Sequence, residues 1–163
     1  MPQREYPREY PLSPLVGVGA VVVDERGRVL LVKRGSEPRK GHWSIPGGLL
    51  ELGELLIDGV TREVAEETGL TVKPEAIVEV IDRIHSEDNG EESRVRYHYV
   101  IVDYWCRVVS GEAGPASDAE EVVWISRSEW LDTNPYMLES IAVQVIEKGW
   151  QMASVAGFSP RNA

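Results

Sequence analysis

The sequence contains a single cysteine, Cys106, among its 163 residues. One thiol cannot form an internal disulfide or a zinc site of several cysteines, and such sparse cysteine usage fits a reducing compartment. No apolar run approaches the length of a membrane span, and the polar, proline-containing N-terminus lacks the apolar core of a signal peptide. We therefore expect a cytoplasmic protein with no membrane partner.

Basic residues are also scarce, with 17 Lys and Arg against 27 Asp and Glu and a net charge of −10. Nucleic-acid-binding proteins usually present a basic surface, so no nucleic-acid partner is expected. A small phosphate-bearing substrate remains compatible with this charge if divalent cations neutralise the site. Apolar residues make up 42% of the chain and charged residues 27%, a composition typical of one soluble globular domain.

The chain divides into an N-terminal arm, residues 1–14, and a domain, residues 15–163. Four prolines bar a helix from the arm, so it is either disordered or lies extended across a neighbour. Hydrophobic patterns and turn signals predict strands at 15–23, 29–32, 43–45, 76–84, 95–109 and 122–125, and helices at 55–68 and 135–148. This order predicts an α/β fold with a mixed sheet.

The first predicted helix carries three carboxylates on one side. At about 100° per residue, Glu63, Glu66 and Glu67 fall within a wedge roughly 100° wide. A buried stripe of Ile57, Val60, Val64 and Thr68 would lie beside that wedge, and Gly59 would leave open space one turn before Glu63. Clustered carboxylates repel one another unless cations sit among them, and they are ligands that Mg²⁺ prefers. The alternative is a solvated acidic face.

The spacing around this helix is more specific. Five residues separate Gly48 from Glu54, and seven more separate Glu54 from the run REVAEETGL at 62–70, in which Gly69 would end the helix. This pattern resembles the Nudix box of the Nudix hydrolase superfamily. The resemblance implies an α/β/α sandwich in which the box forms a loop–helix–loop, and divalent-metal-dependent hydrolysis of a nucleoside diphosphate linked to another moiety.

The resemblance also implies roles for the residues of the box. Glu66 and Glu67 would be the main ligands of Mg²⁺ (or Mn²⁺), with Glu63 a further ligand or the general base. The carbonyl of Gly47 or Gly48 would complete the metal shell, since a backbone carbonyl approaches a metal closely only where side chains do not crowd it. Arg62 and Glu54 would form an internal ion pair that orients the box. Leu55 and Gly59 depart from the usual pattern, in which Ser or Thr and Ala are common.

Outside the box the resemblance implies one more acid, from the loop at 111–121. Asp118 matches best, Glu120 and Glu121 are alternatives, and an ordinary charged loop is the other interpretation. The general base is therefore either Glu63 or one of these loop acids.

Four residues that precede the box are candidates for substrate binding. Arg34, Arg39 and Lys40 either meet substrate phosphates or form a solvated turn. Trp43, like Tyr97 and Tyr99, either stacks on a base or belongs to the core.

The substrate expectation is ADP-ribose, hydrolysed to AMP and ribose 5-phosphate, because the segment 34–48 resembles ADP-ribose pyrophosphatases. One alternative is a MutT-like nucleoside triphosphate pyrophosphohydrolase. Another is a domain that senses a nucleotide without hydrolysing it. The resemblance is also compatible with a homodimer, in which the arm could cross between subunits.

Overall fold

The computed structural model describes residues 7–35, 39–88, 90, 93–117 and 119–158. The strands are β1 (Leu15–Val23), β2 (Val29–Arg34), β3 (Trp43–Ser44), β4 (Gly47–Leu49), β5 (Thr71–Asp88), β6 (Ser93–Ser110) and β7 (Ala119–Ile125). The helices are α1 (Leu56–Thr68) and α2 (Ser140–Val155), and a short π-helical turn covers Glu129–Thr133. No helix in these described ranges is long and apolar enough to cross a membrane.

The seven strands form one mixed sheet in the order β3-β2-β1-β6-β5, with β4 also paired to β1 and β7 to β2. The central pair, β1 and β6, is parallel, and the other pairs are antiparallel. Gly19 of β1 therefore has two neighbours in register, Asp103 of β6 and Gly47 of β4. This junction brings residues distant in sequence to one place.

The two helices cover opposite faces of the sheet. Val60 and Val64 of α1 pack with Val18, Ala20 and Val22 of β1. Residues of α2, among them Val145, Ile146 and Ala153, pack with the alternate β1 residues Val21 and Val23 and with Trp130. Successive side chains of a strand point to opposite faces, so β1 contributes to both cores. The expected α/β/α sandwich is confirmed.

Strand β4 was not predicted, because Gly47 and Gly48 were interpreted as the end of the preceding strand. Glycine has low intrinsic strand propensity, but tertiary contact decides this position. A Cβ on Gly47 would lie 2.2 Å from the carbonyl oxygen of Val18. Only glycine lets this segment pair so closely with β1.

The second helix was predicted over 135–148 and instead runs from Ser140 to Val155, so the predicted bounds were wrong. Asn134 has a φ of 40°, and its side chain accepts from the Leu138 N–H and donates to the Leu138 carbonyl. This turn delays the start of the helix. The helix then continues through Gly149, where a Cβ would lie 2.8 Å from Val21 side-chain atoms.

The described part of the arm, residues 7–14, contacts its own chain. The Tyr10 N–H donates to the Arg96 carbonyl at 2.8 Å, and the Glu9 carboxylate pairs with Arg96 at 3.1 Å. The guanidinium of Arg94 lies 4.1 Å from the centre of the Tyr10 ring. The arm is thus packed on the β5–β6 hairpin, while the homodimer stays a prediction.

Candidate active site

Arg62 organises the first turns of α1 through several hydrogen bonds. Its guanidinium donates to both carboxylate oxygens of Glu54, at 2.7 and 3.0 Å, and to the Leu49 carbonyl at 3.1 Å. It also donates to Glu63 at 2.8 Å and Glu66 at 3.3 Å. The Arg62 bond and a bond from the Glu51 N–H lower the pKa of Glu54 to about 2. A two-point Arg–carboxylate bond fixes orientation as well as charge.

The two glycines of β4 bring the helix carboxylates against the sheet. The Gly47 N–H donates to Glu67 Oε2 at 3.0 Å. A Cβ on Gly48 would lie 2.4–2.5 Å from the carboxylate atoms of Glu63. The Gly48 position therefore makes room for the Glu63 carboxylate, while access of a glycine carbonyl to a metal stays a prediction.

Two details of α1 differ from expectation. A Cβ on Gly59 would lie 2.7 Å from Leu50 and 3.0 Å from Glu54 Oε2, so the space beside Gly59 is filled rather than open. Ile57 is 50% exposed and is not part of the buried stripe, because it lies in the first turn at the edge of the contact with the sheet. The helix ends as predicted at Gly69, with a φ of 75° and an N–H bond to the Ala65 carbonyl.

Divalent metal binding can be tested against this donor set. Glu63, Glu66 and Glu67 supply the hard oxygen atoms that Mg²⁺ and Mn²⁺ take, and Glu63 and Glu67 lie against the backbone of β4. In the described ranges, no three carboxylate, imidazole or thiol groups already converge as a metal cage. Arg62 contacts two of the three carboxylates, Glu63 and Glu66. The three carboxylates therefore fit a divalent cation that would replace Arg62 as the partner of these two.

A cleft of about 750 Å³ begins at this end of α1 and runs across the α2 face of the sheet. Glu63, Glu67, Gly47 and Gly48 line one part of it. Its wall includes the cations Arg34, Arg39, Arg83 and Arg96 and the rings of Trp43, Tyr97 and Tyr99. The Tyr97 and Tyr99 rings are stacked, with centroids 6.2 Å apart and planes inclined by 15°. The cleft joins carboxylates, cations and aromatic faces.

The cations of this wall fall into two groups. Arg39 and Arg83 both pair with Glu139, at the start of α2; burial alone would raise the pKa of Glu139, but its bonds to these two arginines lower it. Arg34 Nε and Arg96 Nε are buried and have no hydrogen-bond partner within the described ranges. A buried donor without a partner costs free energy, and an anionic ligand would satisfy it.

The remaining predicted residues lie elsewhere. Lys40 is absent from the cleft lining, and its ammonium is 3.8 Å from Glu120. Glu121 pairs with Lys33 at 2.7 Å, and neither Glu120 nor Glu121 lines the cleft. Glu66 also lies off the cleft lining, with a half-exposed side chain. Asp118 lies outside the described residues, so its role stays a prediction.

Among the residues of the cleft, Arg83, Arg96, Asp103 and Glu139 were not singled out from the sequence. Nothing in the sequence around Arg83 or Glu139 distinguishes them from other charged residues. Only the fold, which brings them into contact across 56 positions, places them in the cleft. Asp103 had a usable signal, since it stands alone as a charged residue within the apolar run YVIVDYWC at 99–106. A charge inside a buried strand indicates a functional position.

The fold and this site define an α/β domain with an acidic helix beside a cleft lined by arginines and aromatic rings. A family model described as the NUDIX domain matches residues 13–148. The chain is 31% identical over 143 residues to a MutT-like protein of Streptomyces ambofaciens, covering 86% of this chain and 82% of the relative. The chain therefore belongs to the NUDIX family, and the resemblance found in the sequence is confirmed.

Two further comparisons bear on this membership. The chain is 31% identical over 123 residues to the ADP-ribose pyrophosphatase of Methanocaldococcus jannaschii, covering 76% of this chain. It spans 64% of that relative, slightly under two thirds of its length. The crystal structure of a MutT NUDIX hydrolase from Burkholderia pseudomallei matches with a TM-score of 0.64 and 29% identity, covering 83% of this chain and 98% of that one.

Proposed function

We propose that this chain is a divalent-metal-dependent pyrophosphohydrolase that cleaves ADP-ribose into AMP and ribose 5-phosphate. The observation that carries the proposal is the cleft, which joins Glu63 and Glu67 to an arginine wall and to aromatic rings. Its volume of about 750 Å³ is in the range of roughly 300–1,000 Å³ that small-molecule sites occupy. The archaeal relative named as an ADP-ribose pyrophosphatase supports this choice of substrate.

The wall of the cleft supplies the binding groups. Arg34, Arg39 and Arg83 would neutralise the diphosphate, since guanidinium groups bind phosphate oxygens through paired donors. Trp43 packs edge-on against Tyr136, with ring centroids 5.1 Å apart, which holds its ring in place. Trp43 and the stacked pair of Tyr97 and Tyr99 would pack against the flat and apolar parts of the nucleotide.

The box supplies the reacting end. Glu63, Glu66 and Glu67 would hold Mg²⁺ or Mn²⁺, with the Gly47 carbonyl as a further ligand. A cation held there would offset phosphate charge and make a water molecule more acidic. Glu63 or Asp118 would take the proton of the attacking water as its oxygen bonds to one phosphorus. The bond from that phosphorus to the bridging oxygen breaks, and the bridging oxygen leaves with the other phosphate.

Product analysis tests the proposal. ADP-ribose and the common nucleoside triphosphates are incubated at equal enzyme and Mg²⁺ concentrations, and the products are separated by ion exchange. We expect AMP and ribose 5-phosphate, with the highest kcat/KM for ADP-ribose. A triphosphate whose kcat/KM is about tenfold higher, a difference of roughly 1.4 kcal/mol in transition-state binding, would replace ADP-ribose as the substrate. Tight binding with no turnover would instead identify a sensing domain.

A further inference from the structure

Asp103 is a buried carboxylate on the floor of the cleft. It lies in β6, is 3% exposed, and is the one charged residue among the fully buried side chains of the described ranges. No described residue donates a hydrogen bond to its carboxylate, whose surroundings are set by charges on β5, attractive from Arg83 and repulsive from Glu79. Burial raises its pKa to about 6. The protein thus keeps a costly acceptor without a partner.

The backbone around Asp103 is built to admit this side chain. Gly19 is its partner in register on β1, and a Cβ at Gly19 would lie 2.1 Å from Asp103 Oδ1. Ile45 approaches the same point at 3.2 Å. The carboxylate therefore lies over the bare backbone of Gly19, and Gly47 of the box pairs with the other side of that same residue.

Apolar side chains from two sides of the cleft also line it. Ile81 and Ile101 line it from the sheet, and Ile141, Ala142 and Val145 line it from α2. Arg83 is the cation that acts on Asp103, but it already pairs with Glu139, as does Arg39. A carboxylate would repel a phosphate, so the part of a nucleotide that fits here is flat, apolar and rich in hydrogen-bond donors.

We propose that Asp103 is a specificity residue that accepts a hydrogen bond from the exocyclic amino group of the substrate's nucleobase. This inference rests on the proposed nucleotide substrate. A base with an amino group satisfies the carboxylate, whereas a base that lacks it leaves a buried charge unpaired. Sites built to bind a polar group reject analogues without that group for this reason.

Equilibrium binding of matched nucleotides tests the assignment without depending on turnover. Each pair differs only by the amino group: AMP with purine riboside 5′-monophosphate, GMP with IMP, and CMP with the pyrimidin-2-one riboside 5′-monophosphate. Isothermal titration at about pH 8 keeps the carboxylate ionised. In at least one pair we expect the wild type to bind the amino nucleotide about tenfold more tightly or better.

The variants separate Asp103 from general effects of charge. Asp103→Ala removes the acceptor, so the two members of the pair should bind within about twofold of each other. Asp103→Asn keeps the shape and should reduce the preference to about threefold or less. Asp82→Asn removes the same charge from an exposed position of β5 and should leave the preference unchanged.

Several results would overturn the inference. Equal binding within all three pairs by the wild type would do so even if no variant folded. An unchanged preference in Asp103→Ala would also do so. If Asp103→Ala instead removed discrimination between AMP and 2′-deoxy-AMP, the carboxylate would bind the ribose 2′-hydroxyl, and the nucleobase assignment would be wrong. Hydrolysis of ADP-ribose without base discrimination would reject this inference alone, and discrimination without hydrolysis would reject the proposed function alone.

Discussion

The box and the arginine–aromatic wall are two halves of one cleft with opposite internal chemistry. In the box, Arg62 satisfies its donors with Glu54, Glu63 and the Leu49 carbonyl, partners from a short stretch of sequence. In the wall, Arg34 Nε and Arg96 Nε lack hydrogen-bond partners within the described ranges, and no described residue donates to the Asp103 carboxylate on the floor of the cleft. The box is preorganised by its own bonds, while the rest of the cleft keeps these three groups available for a ligand.

The largest expected effect comes from the box. Glu67→Gln keeps the shape of the side chain and an oxygen that can accept from the Gly47 N–H, but it removes the charge that would hold a cation. We expect kcat to fall by roughly 10³-fold or more, with the melting temperature little changed. Steady-state kinetics in Mg²⁺ and thermal unfolding measure both quantities.

A control on the same helix makes the result specific. Asp58 is exposed in the first turn of α1 and does not line the cleft, so Asp58→Asn should leave kcat within about twofold. Turnover near the wild-type rate in Glu67→Gln would contradict the assignment of this helix as the metal site.

A smaller effect is expected from the loop acid. Asp118→Asn should lower kcat by about 10²-fold if this residue holds the cation or takes the proton of water. The matched control variants are Glu120→Gln and Glu121→Gln. In the wild type, Glu120 pairs with Lys40 and Glu121 pairs with Lys33. If one of these two variants loses activity and Asp118→Asn does not, the position of the loop acid was wrong.

Substitution of an arginine in the wall should weaken substrate binding more than it slows the chemical step. Arg83→Ala removes one cation from the cleft, while Arg39 still pairs with Glu139. We expect KM for ADP-ribose to rise about tenfold and kcat to change by less than about threefold. Arg127 pairs with Glu147 outside the cleft, and Arg127→Ala should leave KM unchanged. A fall in kcat alone would move Arg83 from substrate binding to the reaction itself.

This difference between the halves also explains what the sequence could predict. The box is contiguous, so Gly48, Glu54, Arg62 and Gly69 are recognisable by spacing alone. The wall is assembled from β2 and the segment after it, β3, β5 and β6, and the pairing of Arg83 with Glu139 depends on a fold that brings them together. Lys40 shows the converse, since its nearness to the box in sequence does not place it in the cleft.

Element boundaries failed where tertiary contacts override local propensity. Gly47 was predicted to follow the end of a strand but is required by the approach of Val18. Gly149 lies just beyond the predicted end of the second helix, yet it is inside the observed helix and is required by the approach of Val21. In both cases the glycine is selected by a neighbour distant in sequence. Local hydrophobic patterns and turn signals depend only on residues close in sequence, so they cannot predict contacts with such neighbours.

The smallest effect should appear in the stability of the box. Glu54 has a pKa of about 2, below its ordinary 4.5, chiefly because Arg62 donates to it. A lowered carboxyl pKa means that this pair stabilises the fold above about pH 4.5 and that the contribution is lost as the pH falls toward 2. Glu54→Gln should therefore lower the free energy of unfolding by about 1 kcal/mol near pH 7. Urea unfolding of both proteins between about pH 7 and 2.5 should show the difference in unfolding free energy shrinking in acid. A constant difference would mean that the contribution of the Arg62 bond to Glu54 does not depend on charge. The preorganisation of the box would then lose its electrostatic basis.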